Sequence, residues 1–230
     1  MLLQLRDVNV AYGPAKVLHD ISFQLQTGEQ VFMVGRNGAG KTTFLKTIAG
    51  FLKPFKGSIL FEDKEITGLT PEKISSLGIR YIFQDKRVFT KLTVKENIEI
   101  AAYPLREKLS DAIEKVVSIY PRIKGFLNAK AGSLSGGQRQ ILLIGRAILG
   151  NPRILLIDEP TEGLAAGIIS DIFQLLCTMK GKTSMLIVEQ NIPVVTRLAD
   201  RICIMKEGNL FKEIHERSEM ASVEMLEKYL

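Results

Sequence analysis

The sequence predicts an α/β fold: a mostly parallel sheet, a small antiparallel β region and an inserted helical lobe. Three observations carry this. Short, nearly continuous apolar runs, as expected of strands buried on both faces, alternate with helical stretches. One such run, "QVFMVG", leads directly into a glycine-rich turn and then a helix. Between about residues 85 and 150 the strand pattern gives way to helices, after which strands return.

The elements follow in order. "LLQLRDVNVAY" (2–12) and "VLHDISFQLQ" (17–26) alternate apolar with polar and flank a Gly13-Pro14 turn, which predicts paired strands. "QVFMVG" is the first core strand, and "FLKTIAG" continues as a helix. "GSILFEDKEI" (57–66) reads as an edge hairpin with Asp63-Lys64 at its turn. Thr70-Pro71 starts a helix, with proline at the first helical position. "IRYIFQ" (79–84) reads as the next core strand. In the middle region Thr93, Ser110 and Ser135 are expected to cap helices over 93–103, 110–120 and 135–149. "RILLID", "SMLIVEQ" and "RICIMK" are then strands, with a helix over 166–179 between the first two. Asn191 is placed to cap a helix whose first turn holds Pro193, and "SVEMLEKYL" (222–230) closes the chain as a helix. The expected organisation is one unit, residues 1–230. Segments 1–85 and 150–230 form a core with its β subdomain, and 86–149 forms the helical subdomain.

With 230 residues, 46% hydrophobic and 24% charged, the chain is long enough to bury one core. The net charge of +6 is mild, and no block of five or six like charges points to a nucleic-acid partner. No apolar stretch reaches membrane-spanning length, so a membrane role requires a partner chain. Cys177 and Cys203 lie in apolar surroundings and read as buried reduced thiols.

Three motifs carry chemistry. Residues 35–42 match G-x-x-x-x-G-K-[ST]. Such a pattern arises by chance in roughly one chain of this size in a hundred. Here a buried-strand pattern precedes it and a helix follows, which is the context the motif needs. Backbone N–H groups of Gly35, Arg36, Asn37, Gly38, Ala39 and Gly40, with Thr43 just beyond, are expected to curl around a phosphate chain. Lys41 reaches its terminal phosphates, and Thr42 offers a hydroxyl to Mg²⁺. In "RILLIDEP" a buried strand delivers Asp158 to hold Mg²⁺ and Glu159 to orient and deprotonate an attacking water. In "LSGGQ" (134–138) Ser135 caps a helix whose first turn is bared by Gly136 and Gly137, another anion-binding N-terminus, with Gln138 in that turn. A flexible helix start with no ligand reads equally from those residues alone.

Together these pieces resemble the ATP-binding cassette (ABC) family across nearly the whole chain. The order matches: Tyr12, the phosphate loop, Gln84 after a strand, the signature "LSGGQ", and "LLIDEP". The resemblance implies a RecA-like P-loop NTPase core and a head-to-tail dimer of ATPase subunits. ATP is then sandwiched between the phosphate loop of one subunit and the signature of the other. By that analogy Tyr12 stacks on adenine, and Gln84 links Mg²⁺ and the water to the helical lobe and a docked membrane partner. Ser135, Gly136 and Gly137 contact the γ-phosphate of the opposite subunit's ATP.

Two departures from the family pattern narrow the resemblance. The histidine that usually follows the strand after the catalytic glutamate is replaced by Gln190. Gln190 is expected to face the γ-phosphate as a hydrogen-bonding amide, unable to carry charge near neutral pH. The loop after Pro160 reads Glu162, Gly163, Leu164, Ala165 instead of Ser-Ala-Leu-Asp. "EGLA", "VEQN" and "KRVFTKLTVKENI" resemble the shorter ATPase subunit of branched-chain amino acid importers, with the urea-importer subunit next. The implied role is an ATP-hydrolysing subunit on the cytoplasmic face of the cell membrane. Its implied partners are permease subunits, a second ABC ATPase subunit and, indirectly, a solute-binding protein, with no nucleic acid. An exporter ATPase, and a soluble ABC protein of translation or DNA repair, remain as alternatives. Only about ninety residues, without sustained heptads, separate the phosphate loop from the signature, which weighs against the long coiled coils of the repair proteins.

Overall fold

The computed structural model describes residues 1–220 and 223–228. Leu3–Tyr12 (β1) and Ala15–Leu25 (β2) form an antiparallel pair. With Lys56–Phe61 (β4) and Lys64–Glu65 (β5) they make a four-stranded antiparallel sheet ordered β2-β1-β4-β5. Gln30–Val34 (β3) lies inside a second, six-stranded sheet. Its other members are Ile79–Ile82 (β6), Ile154–Asp158 (β7), Ser184–Val188 (β8), Arg201–Lys206 (β9) and Asn209–Ile214 (β10), in the order β10-β9-β3-β8-β7-β6. All its pairings are parallel except β9–β10.

Every residue of β3, β7 and β8 is buried, which is why these strands are apolar runs without alternation. Their side chains still alternate between two cores. Val31 and Met33 of β3 join β1, β2 and the helix Lys41–Ile48 (α1) on one face. Phe32 and Val34 join the helical layer on the other. That layer holds Val94–Ala102 (α3), Leu109–Ile119 (α4), Gly136–Ala147 (α5), Ala166–Met179 (α6) and Ile192–Leu198 (α7). Pro71–Ser76 (α2), Arg217–Met220 (α8) and Val223–Glu227 (α9) complete the helices.

The caps follow side-chain chemistry. Thr93 Oγ1 accepts from the Glu96 N–H, and Glu96 returns a carboxylate oxygen to the Thr93 N–H at 2.6 Å, a reciprocal capping box. Ser135 and Gln138 repeat the arrangement at α5, and Asn191 Oδ1 accepts from the Val194 N–H at α7. Ser110 does not cap: α4 starts one residue before it, after Lys108, and the Ser110 hydroxyl donates to Asp111 instead.

Other expectations shift. The β4–β5 turn is Glu62-Asp63, one residue earlier than expected, because both take the left-handed φ (49° and 62°) that a two-residue hairpin turn needs. β6 is an edge strand paired only with β7, so Arg80 and Tyr81 are half-buried rather than core. β10 was not foreseen; it doubles back on β9 through Glu207-Gly208, both at positive φ. Cys203 is buried, but Cys177 is exposed, on the outer face of α6 opposite Leu175, Leu176 and Met179. Of the expected C-terminal helix, Val223–Glu227 is helical, while Ser222, Tyr229 and Leu230 lie outside the described residues. Among the described residues no helix is long and apolar enough to cross a membrane.

Helix α5 approaches α4 closely at Gly145, where an added Cβ would lie 2.7 Å from Val116 Cγ1. Gly145→Val should therefore overpack the contact and lower stability by about 1–3 kcal/mol. Thermal unfolding should show this loss, and combining it with Val116→Ala should recover part of it.

Candidate functional site

The carboxyl ends of the three central strands lie level: Met33 and Asp158 both register with Val188. The loops that follow therefore emerge side by side at one edge of the sheet, where ligands sit in open α/β folds. They are the 35–40 loop, the 159–165 loop and the 189–191 turn.

The first loop wraps tightly. A Cβ on Gly35 would stand 2.2 Å from the Met205 carbonyl oxygen, so the loop can pass β9 only without a side chain there. Gly38 meets no such obstacle, but its φ of 82° favours glycine. Lys41 is buried at the start of α1, and its Nζ donates to the carbonyls of Gly35 (2.7 Å) and Arg36 (3.1 Å), inside the curl of the loop. Burial lowers its pKa, opposed by Glu159 and Asp158. Residues 37–43 line a cavity of about 410 Å³ together with Val17, Gln84, Glu159 and Glu162. This backbone cradle, with one ammonium inside it, fits a phosphate chain.

Asp158 ends β7 and Glu159 begins the loop after it, both in a largely dry setting. Asp158 accepts from Thr42 Oγ1 at 3.1 Å and from the Tyr81 hydroxyl at 2.8 Å. Burial raises its pKa, and those two hydrogen bonds oppose the rise. The same burial, with the nearby Asp158 charge, raises the Tyr81 hydroxyl. The Asp158 carboxylate and the Thr42 hydroxyl are a suitable pair of oxygen ligands for a small hard cation.

Glu159 is held from both sides. Gln190 Nε2 donates to its Oε1 at 2.6 Å, and Gln84 Nε2 donates to its Oε2 at 3.0 Å. Gln84 also donates to Glu162 Oε2 at 2.7 Å, and Gln190 also donates to Asn37 Oδ1 at 2.9 Å. Burial raises the Glu159 pKa, Glu162 and Asp158 add to the rise, and Gln190 and Lys41 oppose it. Its backbone is left-handed (φ 48°) while its N–H donates to the Val188 carbonyl.

The structure thus brings together Gly35, Arg36, Asn37, Gly38, Ala39, Gly40, Lys41, Thr42, Thr43, Gln84, Asp158, Glu159 and Gln190. Gln190, expected to face a phosphate, here spends both amide N–H groups on Glu159 and the phosphate-loop side chain Asn37. Tyr12 sits half-exposed at the end of β1, on the hairpin whose other strand supplies Val17 to the cavity. Ser135, Gly136, Gly137 and Gln138 do not line that cavity; they open α5, with a capping box closed on itself. Three participants were missed in the sequence. Tyr81 reaches Asp158 only because β6 lies beside β7, which a sequence pattern does not disclose. Glu162 and Glu189 look like loop carboxylates until the fold places them.

A family model described as ABC transporter matches residues 18–162. The chain is 36% identical over 211 residues to the high-affinity branched-chain amino acid transport ATP-binding protein BraG of Pseudomonas aeruginosa, covering 91% of each chain. It is 33% identical over 212 residues to the probable branched-chain amino acid transport ATP-binding protein LivF of Archaeoglobus fulgidus, covering 91% of this chain and 90% of that one. Among solved structures it resembles a dimeric post-hydrolysis state of an ATP-binding cassette bound to ADP and Pi. The TM-score is 0.83 at 26% identity, over 93% of this chain and 98% of that one.

Glu159 tests the electrostatics. Its raised pKa means that burying its charge opposes folding. That cost is absent below the unfolded-state pKa of about 4.3 and is fully present above the folded one. Glu159→Gln should raise the melting temperature of the nucleotide-free protein at pH 8. The gain should shrink as pH falls toward about 4.3, followed by thermal unfolding across that range.

Proposed function

The chain belongs to the ABC transporter family, and from that premise we propose that it is the ATP-hydrolysing subunit of a membrane importer for branched-chain amino acids. The observation that carries the reading is the convergence of Lys41, Thr42, Asp158, Glu159, Gln84 and Gln190 on one cradle at the sheet edge. BraG and LivF support the solute class.

Each residue has a part. The 35–40 backbone and the α1 N-terminus bind the phosphates, and Lys41 supplies the charge between them. Thr42 and Asp158 would hold a magnesium ion, with the Tyr81 hydroxyl fixing the Asp158 carboxylate. A magnesium ion held there would supply positive charge against the phosphate oxygens. Glu159 orients the attacking water and takes its proton, a role its raised proton affinity suits. Gln84 and Gln190 hold the two Glu159 oxygens, and turning either amide away frees one. Tyr12 stacks on the adenine.

Ser135, Gly136, Gly137 and Gln138 complete the site of a second ATPase subunit, since they open a helix away from this chain's own cavity. The dimeric cassette among the structural relatives supports that arrangement. The subunit works at the cytoplasmic membrane face, where closure of the pair moves a permease. The permease and a solute-binding protein select the solute.

Three measurements test this. Glu159→Gln should bind ATP and lose turnover by about 10²–10⁴-fold; normal hydrolysis by that variant would remove Glu159 from its role. Tyr81→Phe should raise the magnesium needed for half-maximal turnover by about tenfold, leaving metal-free nucleotide affinity unchanged. Cells carrying the chain with its co-purifying permease should take up leucine in an ATP-dependent way; uptake of urea instead would overturn the solute assignment.

A further inference from the structure

We propose that Glu189 is a positioning residue: a buried carboxylate that bolts the 189–191 turn to the 159–165 loop and thereby sets the approach of Gln190 to Glu159. The proposal rests on the reading that Glu159 and Gln190 act in turnover.

Glu189 directly follows β8 and is only 2% exposed. Its carboxylate accepts three hydrogen bonds. One oxygen receives the backbone N–H of Gln190 at 2.8 Å and of Asn191 at 2.9 Å. The other receives the hydroxyl of Thr161, itself buried, at 2.8 Å. Its own N–H donates to the Met33 carbonyl at 3.2 Å, so the bolt is anchored to the strand that feeds the phosphate loop.

Two loops are thus joined at two levels. Above, Gln190 Nε2 meets Glu159 Oε1 at 2.6 Å. Beneath, Glu189 meets Thr161, two residues beyond Glu159. The upper contact joins side chains that turnover requires to move. The lower one joins a buried carboxylate to a buried hydroxyl, and neither Glu189 nor Thr161 lines the cavity formed by residues 37–43. A carboxylate so enclosed is costly to bury without partners, and its three hydrogen bonds make it a fixed part of the fold. Glutamine at 189 can keep the geometry. Its carbonyl accepts both backbone N–H groups, and its amide donates to the Thr161 oxygen. Alanine cannot.

The test uses the full chain with Glu189→Ala, Glu189→Gln and Gln190→Ala. Backbone hydrogen exchange without nucleotide should speed up about tenfold or more at Gln190 and Asn191 in Glu189→Ala, and little in Glu189→Gln. Turnover should fall about tenfold or more in Glu189→Ala with KM for ATP within about twofold, and Glu189→Gln should restore most of it. Adding Glu189→Ala to Gln190→Ala should cost little further turnover. Unchanged exchange at 190 and 191, additive losses, or a Glu189→Gln variant as impaired as Glu189→Ala would each overturn the proposal. The exchange result judges the bolt even if Glu159→Gln hydrolyses ATP normally, so failure of the underlying reading is told apart from failure of this one.

Discussion

The level register of β3, β8 and β7 is the constraint on which the site depends. Met33 and Asp158 flank Val188 at the same height, and all three strands are buried along their length. A one-residue slip would send each strand's side chains to the opposite core, so the register is strongly held. The ladder does not stop at the strand ends. The Glu159 N–H donates to Val188, and the Glu189 N–H donates to Met33. The residues that begin the functional loops are therefore still sheet residues in their hydrogen bonding. Precision at the site comes from the sheet, although the side chains sit on loops.

That placement has a cost. Lys41, Asp158, Glu159 and Glu189 are all buried within a short span. Desolvation pushes Lys41, Asp158 and Glu159 toward their neutral forms. What holds the carboxylates is mostly neutral: Tyr81 and Thr42 hydroxyls on Asp158, Gln84 and Gln190 amides on Glu159, and two backbone N–H groups with the Thr161 hydroxyl on Glu189. Glu159 also carries a left-handed backbone, a strain of roughly 1–3 kcal/mol. Neutral partners keep the Glu159 proton affinity high. A salt bridge to Glu159 would depress its proton affinity, whereas amide donors hold it in place with a smaller effect.

Much of this was legible in the chain, and the limits have physical reasons. The buried strands were readable because burial on both faces leaves only apolar residues. The phosphate loop was readable because its glycines and lysine are demanded locally. Cap chemistry gave Thr93, Ser135 and Asn191 correctly but misled at Ser110, where a one-residue choice of helix start decides the matter. β10 escaped because its alternation is short and polar. Tyr81, Glu162 and Glu189 escaped for a different reason: their partners lie 77, 78 and 28 residues away in sequence. Their meaning is created by which strand lies beside which, and no local pattern encodes that.

The same reasoning answers why glutamine stands at position 190. Near neutral pH a neutral imidazole has one N–H to donate, whereas the glutamine amide has two. Gln190 uses both at once, on Asn37 of the phosphate loop and on Glu159 of the neighbouring loop. A neutral histidine there would have to choose between the two, or take up a proton and bring a charge beside Lys41. The amide therefore does what a single imidazole donor cannot: it spans the gap between Asn37 of the 35–40 loop and the Glu159 carboxylate. It remains uncharged at every pH at which the protein is folded. The substitution leaves Glu159 as the only proton acceptor of the pair. Gln190 is the side chain that joins Asn37 to Glu159.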